Sequence, residues 1–272
     1  MIDVGQGDAI ALRTPRARWI LVDAGDQWRE TDVGERVVAP YLRRRGGDIA
    51  AFILSHPHAD HIGGAASVIR RMPVGFVWDG GYAQASTVYE GVLNAARDRR
   101  VAWRSARERD TIEIDGVRLT VLSPDAAEIA AAPDANAASV VVMAEYRGVR
   151  ILLTGDAERD VESRLSARLG RSLRADVLKV GHHGSSTSTT APLLDAVAPR
   201  IALISVGAGN RYGHPNAEVM EALRARGAQV LRTDDVGTIV VSIDGGSELQ
   251  VAAEDSRWTV RRSRADLPRP GG

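Results

Sequence analysis

The stretch Ser55-His56-Pro57-His58-Ala59-Asp60-His61-Ile62-Gly63-Gly64 decides how this chain is read. It holds four potential metal ligands, His56, His58, Asp60 and His61, directly after the apolar run Ala51–Leu54. Neutral imidazole nitrogen together with anionic carboxylate oxygen suits zinc, manganese or iron. In a turn, His56 and His58 can converge on one ion while Asp60 and His61 reach another. The bland alternative is a solvated polar loop or a helix cap, but such a loop seldom carries this spacing straight after a buried strand.

Working outward, the other histidines fall in only two further places, His182/His183 and His214, each at or just beyond a predicted strand end. A site at one rim of a sheet sandwich requires that grouping. Asp156 closes Leu152-Leu153-Thr154-Gly155-Asp156, where a carboxylate either bridges two cations or caps the next helix. Two ions roughly 3.5–4 Å apart would clamp the attacking and leaving oxygens of a phosphoryl displacement. One of His182 and His183 is expected to be a ligand, with His183 preferred. The other is then free to touch substrate or carry a proton. Lys179 reads either as a phosphate-holding group or as a solvated lysine at a strand end. Ser185, Asn210 and His214 are expected on the substrate side, though His214 could instead reach the metals or cap the following helix.

Asp3, Gln6 and Asp8 sit in Asp3-Val4-Gly5-Gln6-Gly7-Asp8-Ala9, whose glycines permit a sharp turn close to other backbone. Their polar groups, with Asp23 of Asp23-Ala24-Gly25, either orient ligands from behind or simply shape turns.

Across the chain, short strands lead into helices. Trp19–Val22, Ile151–Thr154, Val177–Val180 and Ile201–Val206 read as strands. Helical spacing marks Val33–Arg45, Thr87–Arg99, Glu158–Leu169, Ala191–Val197 and Ala217–Arg226. Ala126–Ala138 reads as a loop or a poor helix. Two such halves predict an α/β fold of two mixed sheets face to face with helices outside. One hydrolase domain over 1–255 and a flexible basic tail over 256–272 are expected.

Composition narrows the function classes. Basic and acidic residues number 35 each, so no global positive field draws this chain to nucleic acid, and DNA would need a local basic face. Arg43-Arg44-Arg45, Arg70-Arg71 and Arg97 to Arg109 are candidate tracks, or plain solvated faces. The absence of cysteine excludes disulfides and thiolate metal sites. No apolar run of about 18 residues exists to cross a membrane.

In its motifs the chain resembles the metallo-β-lactamase superfamily, and more narrowly the C-terminal hydrolase-like domain of the ComEC competence group. The matching stretches are DVGQGDA (Asp3–Ala9), LVDAG (Leu21–Gly25), LSHPHADHIGG (Leu54–Gly64), LLTGDA (Leu152–Ala157), LKVGHHGSS (Leu178–Ser186), SVGAGNRYGHP (Ser205–Pro215) and RTDDVGTI (Arg232–Ile239). The resemblance implies an αββα sandwich, with His56, His58, Asp60, His61, Asp156 and His183 at two divalent ions, manganese or zinc. It implies a nuclease that degrades the non-transported strand during DNA uptake, outside the cytoplasmic membrane and attached to a channel that this chain lacks. An excised domain or a stand-alone relative is therefore expected. Many superfamily hydrolases carry a further histidine upstream of the bridging aspartate. Here Asn136-Ala137-Ala138-Ser139 has none, which leaves one metal position to water, Asn136 or substrate. Asp60, His182 and Lys179 are the expected catalytic groups. A small-substrate phosphodiesterase, such as a phosphocholine esterase, and a non-catalytic DNA-binding module are the rival readings.

Overall fold

Side-chain alternation along the strands assigns each face to a layer. In strand Ile49–Leu54, Ala51 and Ile53 pack into the core between two sheets, while Phe52 and Leu54 point the other way, toward helices. Strand Val177–Lys179 does the same on the facing sheet, with Val177 inward and Leu178 toward helices. The result, in a computed structural model describing residues 1–28, 31–243, 248–253 and 256–261, is four layers: helices, sheet, sheet, helices.

The first sheet orders Ile10–Arg13, Trp19–Val22, Ile49–Leu54, Phe76–Asp79 and Ala102–Ser105. Its first pair is antiparallel and the rest are parallel. The second orders Gln229–Arg232, Ile201–Ile204, Val177–Lys179, Val149–Leu153, Val141–Tyr146, Val117–Ser123 and Thr111–Ile114, parallel across the first four strands and antiparallel beyond. Helices Ala39–Arg45, Ala65–Arg71 and Thr87–Asp98 cover the first sheet. Arg159–Leu169, Ala191–Val197 and Ala217–Ala225 cover the second. Parallel strands end on the same side, so Asp23, Ser55, Asp156 and the His182-His183 turn leave one rim together.

The opposite end is tied across the two sheets. The Asp115 carboxylate accepts two hydrogen bonds from Arg18 (2.7 and 3.0 Å) and one from Thr14 Oγ1 (2.7 Å). These donors, Arg18 first, lower its pKa from the ordinary 3.8 to about 2. A depressed carboxylate pKa contributes stability that is complete above pH 3.8 and lost as pH falls toward about 2. Asp115→Asn is therefore expected to lower the melting temperature at neutral pH, with the gap to the native chain closing in that acid window. A gap that persists at the acid end would contradict the assignment.

One expectation needs correcting. Ser256–Arg261 is not tail but a strand, paired antiparallel with Glu248–Ala253, which pairs in turn with Val240–Ile243. The run Trp258-Thr259-Val260 favours strand, and its flanking arginines disguise that preference. The rest of the expected tail, 262–272, lies outside the described residues. Of the two readings open for Ala126–Ala138, helix holds over Ala126–Ala131, opened by a capping box in which Asp125 accepts from Glu128 N and Glu128 accepts from Asp125 N.

Candidate metal centre

The strand Ile49–Leu54 delivers Ser55, and a single helical turn, Ala59–Ile62, then folds the histidine segment back on itself. Gly7 makes this packing possible. It has φ +111°, and a Cβ there would sit 2.0 Å from the Asp60 carbonyl oxygen. Asp8 N then donates to that carbonyl (3.1 Å), pinning the Asp3–Ala9 loop onto the ligand turn. Gly155, at φ +53°, lets the chain pass against Ser55 and Ser139 just before Asp156.

One atom organises the site. Asp156 Oδ2 lies 3.2 Å from His61 Nε2, 3.6 Å from His183 Nε2, 3.8 Å from His182 Nε2 and 3.9 Å from His56 Nε2. Asp60 Oδ2 is 3.3 Å from His183 Nε2 and 4.0 Å from His61 Nε2. Donor atoms of Asp60, His61, Asp156 and His183 all fall within 4.8 Å of one another. His58 joins through His56, with Nδ1 3.1 Å from His56 Nε2. The donors thus sort into His56 and His58 on one side and Asp60, His61 and His183 on the other, with Asp156 between. All six expected ligands come together.

The ring nitrogens are pre-assigned. His61 Nδ1 donates to Asp23 Oδ2 (2.8 Å), and His183 Nδ1 donates to Ser205 O (2.9 Å). That leaves both Nε2 atoms turned to the cluster, buried and without a well-directed hydrogen bond. Such nitrogens, beside two carboxylates and with no thiolate present, fit a divalent cation. Burial works against protonating His61, but Asp156, Asp60 and Asp23 outweigh it and hold its pKa well above the ordinary range. His183 is raised in the same way, chiefly by Asp156 against burial. Burial, reinforced by His61, keeps His56 neutral by pushing its pKa far down. Burial also opposes ionisation of Asp60, yet His61 and His183 hold its carboxyl well below the usual range. A cation entering this cluster displaces protons from His61 and His183.

Asp23 is the residue behind the ligands that does most. Its carboxylate also accepts from Ser55 N (2.8 Å) and Ser55 Oγ (2.6 Å). Asp23→Ala is expected to weaken metal binding by about 10–100-fold, read by chelator competition. Unchanged affinity would remove Asp23 from the account.

His182 and His183 have φ of 46° and 53°, a left-handed pair that sends successive rings in different directions. His183 goes inward. His182 stays at the rim, with Nδ1 3.0 Å from Glu158 Oε1.

Several expected site residues stand elsewhere than anticipated. Lys179, the only lysine in the sequence, does not face substrate. It is 1% exposed, and its ammonium is held by Asp8 Oδ2 (2.5 Å), Gly155 O (2.7 Å) and Asp156 Oδ1 (3.4 Å). Burial disfavours its charge, but Asp8 and Asp156 raise its pKa and keep it protonated. Its strand lies inside the seven-stranded sheet, which puts the strand end under the loops rather than in solvent. Asp3 Oδ1 accepts from Gly5 N within its own turn. Gln6 Oε1 accepts from Gly207 N, bracing two loops rather than a ligand. Ser185 is buried and bonds Thr187 within the same loop. Asn210 spends its amide on Gly207 O, His214 O, Tyr212 N and His214 N. Asn136 Nδ2 reaches Glu158 Oε1 (3.4 Å), and its Oδ1 is buried without a partner. His214, by contrast, stays beside the site as expected, its ring 5.7 Å from that of His182. Ser55, Ser205, Ser139 and Glu158 drew no role from sequence. Only Ser55, inside the decisive motif, was positioned to be noticed.

Residues 2–208 match the metallo-beta-lactamase superfamily, and the chain belongs to that family. It is 36% identical over 259 residues to ComE operon protein 3 of Bacillus subtilis (strain 168), covering 88% of this chain and 32% of that protein. It is 33% identical over 245 residues to Competence protein ComA of Neisseria gonorrhoeae, covering 90% and 32%. The chain thus spans about a third of the length of these curated relatives. The metallo-beta-lactamase fold protein YhfI from Bacillus subtilis superposes with a TM-score of 0.56 at 12% identity, covering 93% and 92%, and shares the fold.

Proposed function

We propose that this chain is a metal-dependent nuclease that hydrolyses phosphodiester bonds of single-stranded DNA and degrades the non-transported strand during DNA uptake. The observation carrying this reading is Asp156 Oδ2, ringed by four imidazole Nε2 atoms within 3.9 Å. A carboxylate in that position suits a bridge between two divalent ions, manganese or zinc. Ions of this kind polarise a phosphoryl oxygen and activate water near neutral pH. The superfamily consists mostly of metal-dependent hydrolases, which favours catalysis over a purely binding role.

The chain's own groups divide the remaining work. Asp23 and the Ser205 carbonyl fix the tautomers of His61 and His183. Lys179 offsets the charge of Asp8 behind the ligands and of the far oxygen of Asp156. Asp60 keeps its side chain 30% exposed, which supports assigning it the proton of the attacking water. His182, whose Nδ1 is held beside Glu158 and Thr187, is the group assigned to carry a proton to the leaving oxygen. Competence protein ComA, a relative by sequence, supports a place in DNA uptake. So does the length of the relatives, which leaves room for a membrane channel portion, with this domain on the extracytoplasmic side. Among the described residues no helix is long and apolar enough to cross a membrane.

The test is cleavage of labelled single- and double-stranded DNA across magnesium, manganese and zinc. Single-strand cleavage that needs manganese or zinc, stops with chelator and weakens with salt is the expected result. Hydrolysis of a nitrophenyl phosphodiester with DNA left intact would favour the small-substrate enzyme. DNA binding without turnover in any metal would favour the non-catalytic module.

A further inference from the structure

The loop over 207–215 leaves one aromatic ring exposed, two ring contacts away from the metal centre. Among the described residues the exposed large hydrophobic side chains are Leu93 at 40%, Val240 at 41% and Tyr212 at 59%. Tyr212 is the most exposed of these and stands on a loop that lines the site. Its ring lies over His214, with centroids 5.8 Å apart and planes 27° apart. His214 in turn meets His182 at 5.7 Å, and His182 Nε2 is 3.8 Å from Asp156. Two ring-to-ring steps therefore join an exposed aromatic face to the metal centre.

The loop holds this ring in place without any ligand. Asn210 accepts from Tyr212 N and His214 N and donates to Gly207 O and His214 O. Gly207 N donates to Gln6 Oε1, and Asn216 N donates to Gly184 O, so both ends of the loop are fastened to neighbouring loops. Arg211 places its guanidinium carbon 5.7 Å from the Tyr212 ring centre. A fixed, exposed ring beside a cation and close to a phosphodiester-cleaving centre has the chemistry of a base-stacking platform.

We infer that Tyr212 stacks the nucleobase of a nucleotide next to the scissile phosphate, and so selects single-stranded over duplex DNA. The inference rests on the nuclease reading and adds to it a residue that sets strand preference. In a duplex both faces of a base are already stacked on neighbours, so only an unpaired base can offer a face to the ring.

The experiment is fluorescence anisotropy on the full chain in manganese buffer. The probes are cleavage-resistant phosphorothioate oligonucleotides of one length: normal single strand, abasic single strand, and duplex. The native chain is expected to bind the normal strand about tenfold more tightly than the abasic one, the scale of a single stacked base. Tyr212→Ala erases that preference and narrows the gap between single strand and duplex. Tyr212→Phe keeps both, and neither variant shifts the melting temperature. A base preference that survives Tyr212→Ala, equal loss in Tyr212→Phe, or a native chain indifferent to bases or binding no oligonucleotide would overturn the inference. Tyr212-dependent base preference without cleavage of ordinary DNA would remove the nuclease reading and leave the stacking. Cleavage of ordinary DNA with a preference untouched by Tyr212→Ala would do the reverse.

Discussion

Asp156→Ala is expected to abolish metal-dependent phosphodiester hydrolysis, with a fall of roughly 10³-fold or more in kcat/KM. The charge stabilisation supplied by bound ions is worth several kcal/mol, and about 1.4 kcal/mol is a factor of ten. The structural reason is that four imidazoles converge on one oxygen of this residue, while its other oxygen lies 3.4 Å from the Lys179 ammonium. No other carboxylate among the described residues has that position. Asp156→Asn keeps the shape and removes the charge. It is expected to lose nearly as much, which separates loss of the anion from loss of packing. Steady-state kinetics on a phosphodiester, with metal content measured in parallel, make the comparison. An Asp156→Asn chain hydrolysing within a fewfold of the native rate would show that this oxygen does not organise the chemistry.

Lys179→Met is expected to have the largest effect on stability. Removing one partner of a buried ion pair leaves the other charged and unpaired, at a cost of about 3–5 kcal/mol. Asp8 is the group abandoned, at 1% exposure with Lys179 2.5 Å away. At roughly 2–4 °C per kcal/mol for a chain of this size, the metal-free protein should melt on the order of 10 °C lower. Adding Asp8→Asn to Lys179→Met should recover much of the loss, because the stranded charge is then gone. Lys179→Arg should not rescue, since a planar guanidinium does not fit the space of a compact ammonium held by Asp8, Asp156 and the Gly155 carbonyl. Melting curves of the four chains in chelator decide the matter. A Lys179→Met chain melting within a degree or two of native would mean that the pair carries little of the stability.

The contrast between these two residues shows what sequence makes legible. Asp156 was readable because a carboxylate after an apolar strand, in a chain with clustered histidines, has few other uses. Lys179 ends a similar strand three residues before His182, and strand-end position alone suggested exposure. Whether a strand end is covered depends on sheet order, and neighbouring strands in the sheet come from distant sequence. A hint was present all the same. A chain that uses arginine for every other basic residue keeps one lysine, and that lysine is buried.

His182 and His183 could not be told apart for another reason. Two consecutive left-handed residues direct the rings, and nothing in a His-His pair announces that backbone. Ser185 and Asn210 are of types that bind substrates, yet such residues equally bond their own loops. The layered fold was legible wherever buried strands run apolar, as in Ile201–Ile204 and Ile49–Leu54. Thr111–Ile114 was hidden because Thr-Ile-Glu-Ile is short and half polar, and Ser256–Arg261 because its charges resemble those of a tail.

The central claim is that His56, His58, Asp60, His61, Asp156 and His183 jointly hold a pair of divalent cations. Metal analysis of the purified chain after equilibration with manganese or zinc and removal of free ion tests it most directly. The expected content is two equivalents per chain, falling sharply in Asp156→Ala and His61→Ala. A native chain that retains no metal, or variants that retain as much as the native chain, would contradict it.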